Sequence, residues 1–341
     1  MGTRWARVSV NSGGSKRVKW EDLGMEIISN PTQDDIKKAA HALKDGHLVA
    51  FPTETVYGLG ADANNETALN RIYSVKGRPA DHPLIVHISS INYLEEWALS
   101  IPVYAKTLAQ EFWPGPMTLI LRKKNVVSDL VTGGQDSIGL RVPAQPVAIA
   151  LLNEFNAMGG LGVAAPSANR FGAVSPTTAD AVAEELGKFF ELGDFILDGG
   201  MCQLGIESTI IDCTKDSPSI LRPGALTVSM IEAVCGKSVI ENLSEIRASG
   251  LLESHYSPKA KVEINAIAIP GDGFLAMEKF PTPIGTSRLA SPGTVEQYAR
   301  ELYAALRSGD AKGLKRIVVI PPDGDGVAVA VRDRLSKAAA R

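Results

Sequence analysis

The chain has 341 residues, 45% hydrophobic and 21% charged, which is enough apolar material for one large core and a smaller second one. Thirty-five Lys and Arg stand against 38 Asp and Glu; a formal net charge of -3 excludes a global attraction to nucleic acid, so any anion site has to be a local cluster. The three cysteines, Cys202, Cys213 and Cys235, lack metal-ligand or redox spacing, which excludes a disulfide framework or zinc site and fits a reducing cytoplasm.

Residues 1–20 carry Arg4, Arg7, Lys16, Arg17 and Lys19 without an apolar stretch of signal-peptide length. They read as a loosely ordered, solvated tail whose basic character offers at most a weak RNA contact. No membrane-spanning run occurs. Thr32 with Asp35 resembles a capping box for a helix to Lys44, and a strand is expected over 47–55. Asn65 caps a second helix carrying Ala68, Leu69, Ile72 and Tyr73 on one face, and Gly77 and Pro79 end it. Lys76 falls in that helix's last turn, where the partial negative charge of the C-terminus favours a cation.

Short Val- and Ile-rich runs predict further strands over 84–88, 117–123, 137–142, 161–165, 195–197, 208–213 and 219–222, with a helix from Thr177 or Thr178 toward Leu186. The segment CTKDSPS between the last two strands is short and polar, which favours a hairpin, so the sheet is mixed rather than purely parallel. After Gly236 the periodicity weakens. A linker is placed at 236–260, followed by a second α/β pattern: a strand over 261–269, a helix over 295–307 and a strand over 316–320. The fold class is α/β.

The chain contains no GxxxxGK[ST] phosphate loop. The relaxed GxGxx[GA] pattern matches at 58–63 and 271–276, but neither match continues into a strand, fingerprint and helix with the acidic residue in place. Polar residues instead collect at the ends of apolar strands, in FPTETVYGLG, SIGLRVP, APSANRFGAVSP, GIESTI and LRPG. Taken singly, Pro52, Pro143 and Pro166 could stop strands, Ser167 and Asn169 could form turns, and Arg141 could be a surface charge.

Together these segments make a coherent kit. Lys76, Arg78, Arg141 and Arg222 offer cationic donors; Thr55, Ser137, Ser167, Ser175 and Ser208 offer small hydroxyls. Such a kit suits a ligand rich in anionic oxygens. The histidines His41, His47, His82, His87 and His255 are scattered, and no Ser-His-Asp, Cys-His or metal-ligand spacing is readable. By its apolar surroundings alone, His87 in LIVHI reads as a core histidine.

FPTETVYGLG, KGRPADHPLIVHI, SIGLRVP, APSANRFGAVSPTT, DGG with GIESTIID, and LRPG resemble, in order, the motifs of the YrdC-type L-threonylcarbamoyladenylate synthases. ASGLLESHYSPKAKV and YARELYAALR resemble the linker and C-terminal domain of the two-domain form. The resemblance implies an N-terminal extension at 1–28, a catalytic domain with a twisted mixed sheet at 29–235, a linker over the active site at 236–260 and a smaller Rossmann-like domain at 261–341. It implies a nucleotidyltransferase that makes L-threonylcarbamoyl-AMP from L-threonine, bicarbonate or CO2, and ATP, releasing pyrophosphate. The product would pass to a tRNA threonylcarbamoyl transferase complex for modification of the adenosine beside the anticodon.

The same resemblance assigns Lys76, Arg78, Ser167 and Asn169 to the nucleotide and phosphate side, with Lys76 and Arg78 catalytic. His82, Ser137, Ser175, Arg222, His255 and Tyr256 add ATP contacts. Thr55, His87, Arg141, the Ala165 backbone and Ser208 hold threonine. Mg2+ is expected with ATP, without a dedicated protein site. Two positions depart from the family pattern: Gln145 stands where many relatives have histidine, and Ala173 where a basic residue is common. Two other readings share part of this chemistry: an RNA-binding module, which would need aromatics interleaved with the cations, and a carbamoyl hydrolase or transferase acting on another small molecule.

Overall fold

A computed structural model describes residues 6–10, 16–20, 25–240, 245–252 and 255–340. Its first sheet is formed by β1 (Ala6–Val10), β2 (Lys16–Trp20), β3 (Met25–Ser29), β4 (Val49–Phe51), β5 (Gly58–Asp62), β6 (Ile85–His87), β7 (Ala98–Leu99), β8 (Met117–Lys123), β9 (Ser137–Arg141), β10 (Val163–Ala164), β11 (Phe195–Asp198), β12 (Thr209–Asp212) and β13 (Ser219–Arg222). The order is β1-β2-β3-β11-β4-β5-β10-β6-β9-β8-β12-β13, with β7 beside β8. The second sheet has the order β14-β17-β15-β16, from β14 (Lys261–Ile264), β15 (Gly273–Leu275), β16 (Ser287–Ala290) and β17 (Arg316–Val319).

The expected mixture is present. β6 and β9 run parallel, β8 and β12 run parallel, and β12 turns back antiparallel onto β13 through CTKDSPS. All pairings in the second sheet are parallel. Three expectations change. Of the 47–55 strand only Val49–Phe51 stays in the ladder, and the glycine-rich segment that follows is itself the strand β5. Gly60 allows this close packing: a Cβ there would meet Phe51 and Val163 at 2.8 Å. The strand expected over 261–269 ends at Ile264, because Asn265 turns to φ 54.

The segment read as a loose tail also differs. β1 and β2 pair antiparallel and extend the sheet through β3, as the alternation of valines with polar residues allows. Arg4 lies outside the described residues.

The helices start where side chains can cap them. In α1 (Gln33–Lys44), Thr32 accepts from the Asp35 backbone N–H while the Asp35 carboxylate accepts from that of Thr32 at 3.0 Å, a reciprocal capping box. α2 (Glu66–Lys76) is capped by Asn65 and stopped by Gly77, at φ 62. α3 (Leu94–Trp97), α4 (Val103–Phe112), α5 (Asp129–Thr132), α6 (Pro146–Ala157), α7 (Ala179–Leu186) and α8 (Val228–Cys235) complete the first unit. Thr178 caps α7. Ile36 and Leu43 of α1 pack with Leu151, Leu152 and Phe155 of α6, and each such buried side chain contributes about 1.5–3 kcal/mol.

In the second unit, α9 (Val295–Ala311) is longer than the expected helix, and α10 (Val327–Ala339) ends the described chain. Their apolar faces meet Val56, Val174 and Ile206 of the first unit in one buried cluster that also contains Tyr256. The second unit is therefore packed against the segments that carry the polar motifs. No helix among the described residues is long and apolar enough to cross a membrane.

Candidate functional site

Those segments converge on one cavity. The loop after β4 supplies Thr53, Thr55 and Val56; the end of α2 supplies Lys76 and Arg78; β6 and β9 supply His87 and Arg141. Ala165, Ser167 and Asn169 follow β10, Glu207 and Ser208 precede β12, and Arg222 closes β13. Ser249, Gly250, His255 and Tyr256, from the segment joining the two units, complete the lining.

The charge arrangement is unusual for buried cations. Lys76, Arg78 and Arg222 are 2%, 8% and 3% exposed, yet among the described residues none has a carboxylate oxygen within 4.0 Å. They are held by neutral oxygens. Lys76 Nζ donates to the carbonyls of Ser167 and Asn169 at 2.6 and 2.5 Å. Arg78 donates to the carbonyls of His82 and Pro83 at 3.3 and 2.8 Å and to Ser249 Oγ at 3.2 Å, with its guanidinium over the Phe171 ring. Arg222 donates to the Ser208 carbonyl at 2.9 and 3.1 Å and to the Ser249 carbonyl at 2.9 Å.

Carbonyl dipoles orient such cations without cancelling their charge. Burial, and then the neighbouring Arg78, pushes the Lys76 ammonium well below its ordinary range, and burial lowers Arg78 to about 10. Burial likewise lowers Arg222. An arriving polyanion would relieve that electrostatic cost.

Arg141 is different. Its NH2 pairs with Glu54 Oε1 at 2.5 Å, its NH1 donates to Thr55 Oγ1 at 3.0 Å and its Nε to the Gly115 carbonyl at 3.3 Å. Glu54 also accepts from the Ala144 backbone at 2.9 Å. One N–H remains on each terminal nitrogen of Arg141. Ser208 Oγ shares a hydrogen bond of 2.7 Å with Thr118 Oγ1. His87, opposite Arg141 in the β6–β9 register, is held neutral, its pKa lowered to about 3 by burial and then by Arg141.

The joining segment closes this cavity from the side of the second unit. His255 lies edge-on to Tyr256 at 4.1 Å, and Tyr256 stacks on Tyr303 of α9 at 5.6 Å. Lys337 of α10 grips the segment twice: its Nζ donates to the Gly250 carbonyl at 2.8 Å, and its own carbonyl accepts from the His255 backbone at 3.3 Å. Gly250 has φ 81, and a Cβ there would come within 2.1 Å of Tyr256 Oη. Burial lowers the His255 pKa to about 3.

Of the residues singled out in the sequence, Thr55, Lys76, Arg78, His87, Arg141, Ala165, Ser167, Asn169, Ser208, Arg222, His255 and Tyr256 line the cavity. His82, Ser137 and Ser175 do not. The His82 ring lies edge-on to Phe171 at 5.1 Å, and Ser137 lines an adjoining crevice with Ile85 and Ser249. Ser175 is buried behind the wall, where its hydroxyl donates to Glu207 at 2.7 Å. Sequence reading missed Glu54, Glu207 and Phe171, although each stands inside a quoted motif. The departure at Gln145 has a structural use, since its side-chain oxygen caps α6 by accepting from Val147 and Ala148 at 2.6 and 3.1 Å.

Fold and site together define the class: a mixed-sheet α/β protein with a cavity lined by buried cations and roofed by a segment leading to a second domain. The family model described as "Telomere recombination", of Sua5, YciO and YrdC, matches residues 41–224, and that described as "Threonylcarbamoyl-AMP synthase, C-terminal domain" matches residues 226–340. A threonylcarbamoyl-AMP synthase of Pyrococcus abyssi is 40% identical, covering 89% of this chain and 93% of its own. One from Bacillus subtilis is 39% identical, covering 95% and 98%. The solved structure of P. abyssi Sua5 complexed with L-threonine superposes with a TM-score of 0.83 at 38% identity, over 92% of this chain and 97% of that one. A P. abyssi Sua5 variant with an adjacent His-Tyr pair replaced by alanine gives 0.81 at 37%, over 92% and 96%. The chain belongs to the Sua5 family of threonylcarbamoyl-AMP synthases, in its two-domain form.

Proposed function

We propose that this protein synthesises L-threonylcarbamoyl-AMP from L-threonine, bicarbonate or CO2, and ATP, with release of pyrophosphate. The observation that carries the reading is the set of three buried cations, Lys76, Arg78 and Arg222, without carboxylate partners, in a chain that matches the two-domain synthases almost end to end.

Threonine's amine adds to CO2 and loses a proton to give a carbamate. A carbamate oxygen is already anionic and needs no strong base before it attacks the α-phosphorus of ATP. As the new P–O bond forms, the bond to the bridging oxygen breaks, and pyrophosphate leaves with that electron pair. Two anions have to meet, so screening and positioning carry most of the barrier reduction. Lys76 and Arg78 are assigned that role at the triphosphate, with Arg222, Ser167 and Asn169 as further nucleotide contacts. Arg141, with Thr55, His87, Ser208 and the Ala165 backbone, is assigned the threonine side. His255 and Tyr256 are assigned to the roof over ATP, where excluding water protects a labile mixed anhydride.

His82 and Ser137 enter this scheme as contacts at its margin, and Ser175 through the Glu207 it bonds. The Mg2+ expected with ATP is proposed to arrive on the triphosphate, since Glu207 is already bonded by Ser175, Tyr303 and Arg334. The functional division assigned here is catalysis in 29–235, closure by 236–260 and support from 261–341. A cytoplasmic location, delivery of the product to a tRNA threonylcarbamoyl transferase complex and a weak RNA contact through the basic N-terminal segment complete the reading.

Pyrophosphate release tests it. Turnover should require L-threonine and bicarbonate together, and release that continues without either would point instead to a hydrolase.

A further inference from the structure

The cavity holds one carboxylate that a phosphate site has no use for. Glu207 lines it and is 6% exposed. A bare carboxylate at that place would repel a triphosphate and compete with it for Arg222. The second domain prevents both. Arg334 of α10 donates through Nε to Glu207 Oε2 at 2.8 Å, and Tyr303 of α9 donates its hydroxyl to the same oxygen at 2.8 Å. Ser175 Oγ occupies Oε1 at 2.7 Å.

Arg334 is itself fully buried. It is fixed by Asp333 at 2.5 Å and the Pro223 carbonyl at 3.1 Å, and its guanidinium lies 5.3 Å over the ring of Tyr256. Burial alone would push the Glu207 carboxyl up; Arg334 first, and Arg222 after it, outweigh burial and hold it at about 2. Arg222 meanwhile stays on the carbonyl oxygens of Ser208 and Ser249.

We infer that Arg334, from the second domain, is a positioning residue for nucleotide binding: by holding Glu207 from outside the cavity, it leaves the charge of Arg222 open to the phosphates of ATP. The inference rests on the synthase reading. It gives the second domain a part in the reaction through one buried ion pair, without any of its side chains touching the reacting atoms.

The test compares wild type with R334Q, R334Q/E207Q and Y303F in steady-state pyrophosphate release, with thermal melting as a check on folding. R334Q is expected to raise KM for ATP at least about tenfold, with KM for threonine changed by less than about twofold. Glu207, released from its largest favourable partner, should titrate at a higher pH in R334Q. Lowering the pH from about 7.5 to about 5.5 should therefore narrow the gap in KM for ATP between variant and wild type. The double variant, with neither charge, should return KM for ATP to within about threefold of wild type. Y303F, which removes one hydrogen bond to the same oxygen, should shift KM for ATP in the same direction by about threefold, and together with the double variant it decides the matter if R334Q does not fold.

A wild-type KM for ATP in folded R334Q would overturn the inference. So would a loss shared equally between ATP and threonine that E207Q does not rescue. Failure of the wild-type protein to form threonylcarbamoyl-AMP would overturn the synthase reading instead.

Discussion

The buried cations of the cavity contrast with two ion-paired arginines of the second domain, Arg334 and Arg316. In the cavity, Lys76, Arg78 and Arg222 rest on carbonyl and hydroxyl oxygens, with no carboxylate beside them among the described residues. In the second domain, Arg334 pairs with Glu207 and Asp333, and Arg316 with Glu263 and Asp272. A cation that only supports the fold is best neutralised where it stands, because a buried unpaired charge is costly. Buried cations without a carboxylate suit a place where a ligand completes the charge balance. Arg141, paired with Glu54 yet retaining unused N–H groups, stands between the two cases.

That contrast is broken most severely by removing an unneutralised cation. Lys76→Met is expected to lower kcat/KM about a thousandfold in pyrophosphate release, while the melting curve reports a stability change under about 2 kcal/mol, because the cost of burying the ammonium disappears with it. Arg78→Ala should follow at about a hundredfold with the fold retained. If Gly77 and Pro79 did no more than stop a helix, with Arg78 an ordinary residue after it, the loss would be slight. Replacing His255 and Tyr256 together by alanine should lower kcat by about tenfold and speed hydrolysis of the bound adenylate, read as product lost per turnover.

The roof also carries a pH signature. His255 is held neutral, at about 3, in the closed arrangement. Exposed, it would titrate near 6.5, so the open form gains a proton that the closed form cannot take. Closure is fully favoured above about pH 6.5 and weakens by up to about 1.4 kcal/mol per unit as the pH falls from there toward 3. His87 and Glu207, with pKa values also lowered, oppose acidification in the same direction. Hydrogen exchange at 245–252 should accelerate over that window. The smallest effect belongs to purely structural chemistry: Thr32→Ala should cost about 1 kcal/mol of stability by thermal melting and leave kcat/KM unchanged.

Local signals made much of this arrangement legible. The capping box at Thr32 and Asp35, the Asn65 cap, the Gly77 stop and the polar hairpin before β13 each depend on residues close in sequence. β5 was obscured because GLGAD reads as a loop, and only its close packing on Phe51 and Val163 explains glycine there. The N-terminal hairpin was hidden by its charge, although its valines alternate.

At the site, the cations and hydroxyls were visible but their partners were not. Arg141 and Glu54 are separated by 87 residues, and Arg334 and Glu207 by 127. No spacing rule reaches across such distances. Ser175 was read as a ligand contact from its motif, whereas its hydroxyl is spent on Glu207 behind the cavity wall.

The central claim is that the unneutralised cations serve an adenylate-forming reaction. Mass spectrometry of single-turnover mixtures of protein, ATP, L-threonine and 13C-bicarbonate tests it most directly. Wild-type protein should yield threonylcarbamoyl-AMP carrying one 13C, with an equal amount of pyrophosphate, and Lys76→Met should yield almost none. Pyrophosphate without the labelled adduct, or the same adduct yield and rate from Lys76→Met, would contradict the account.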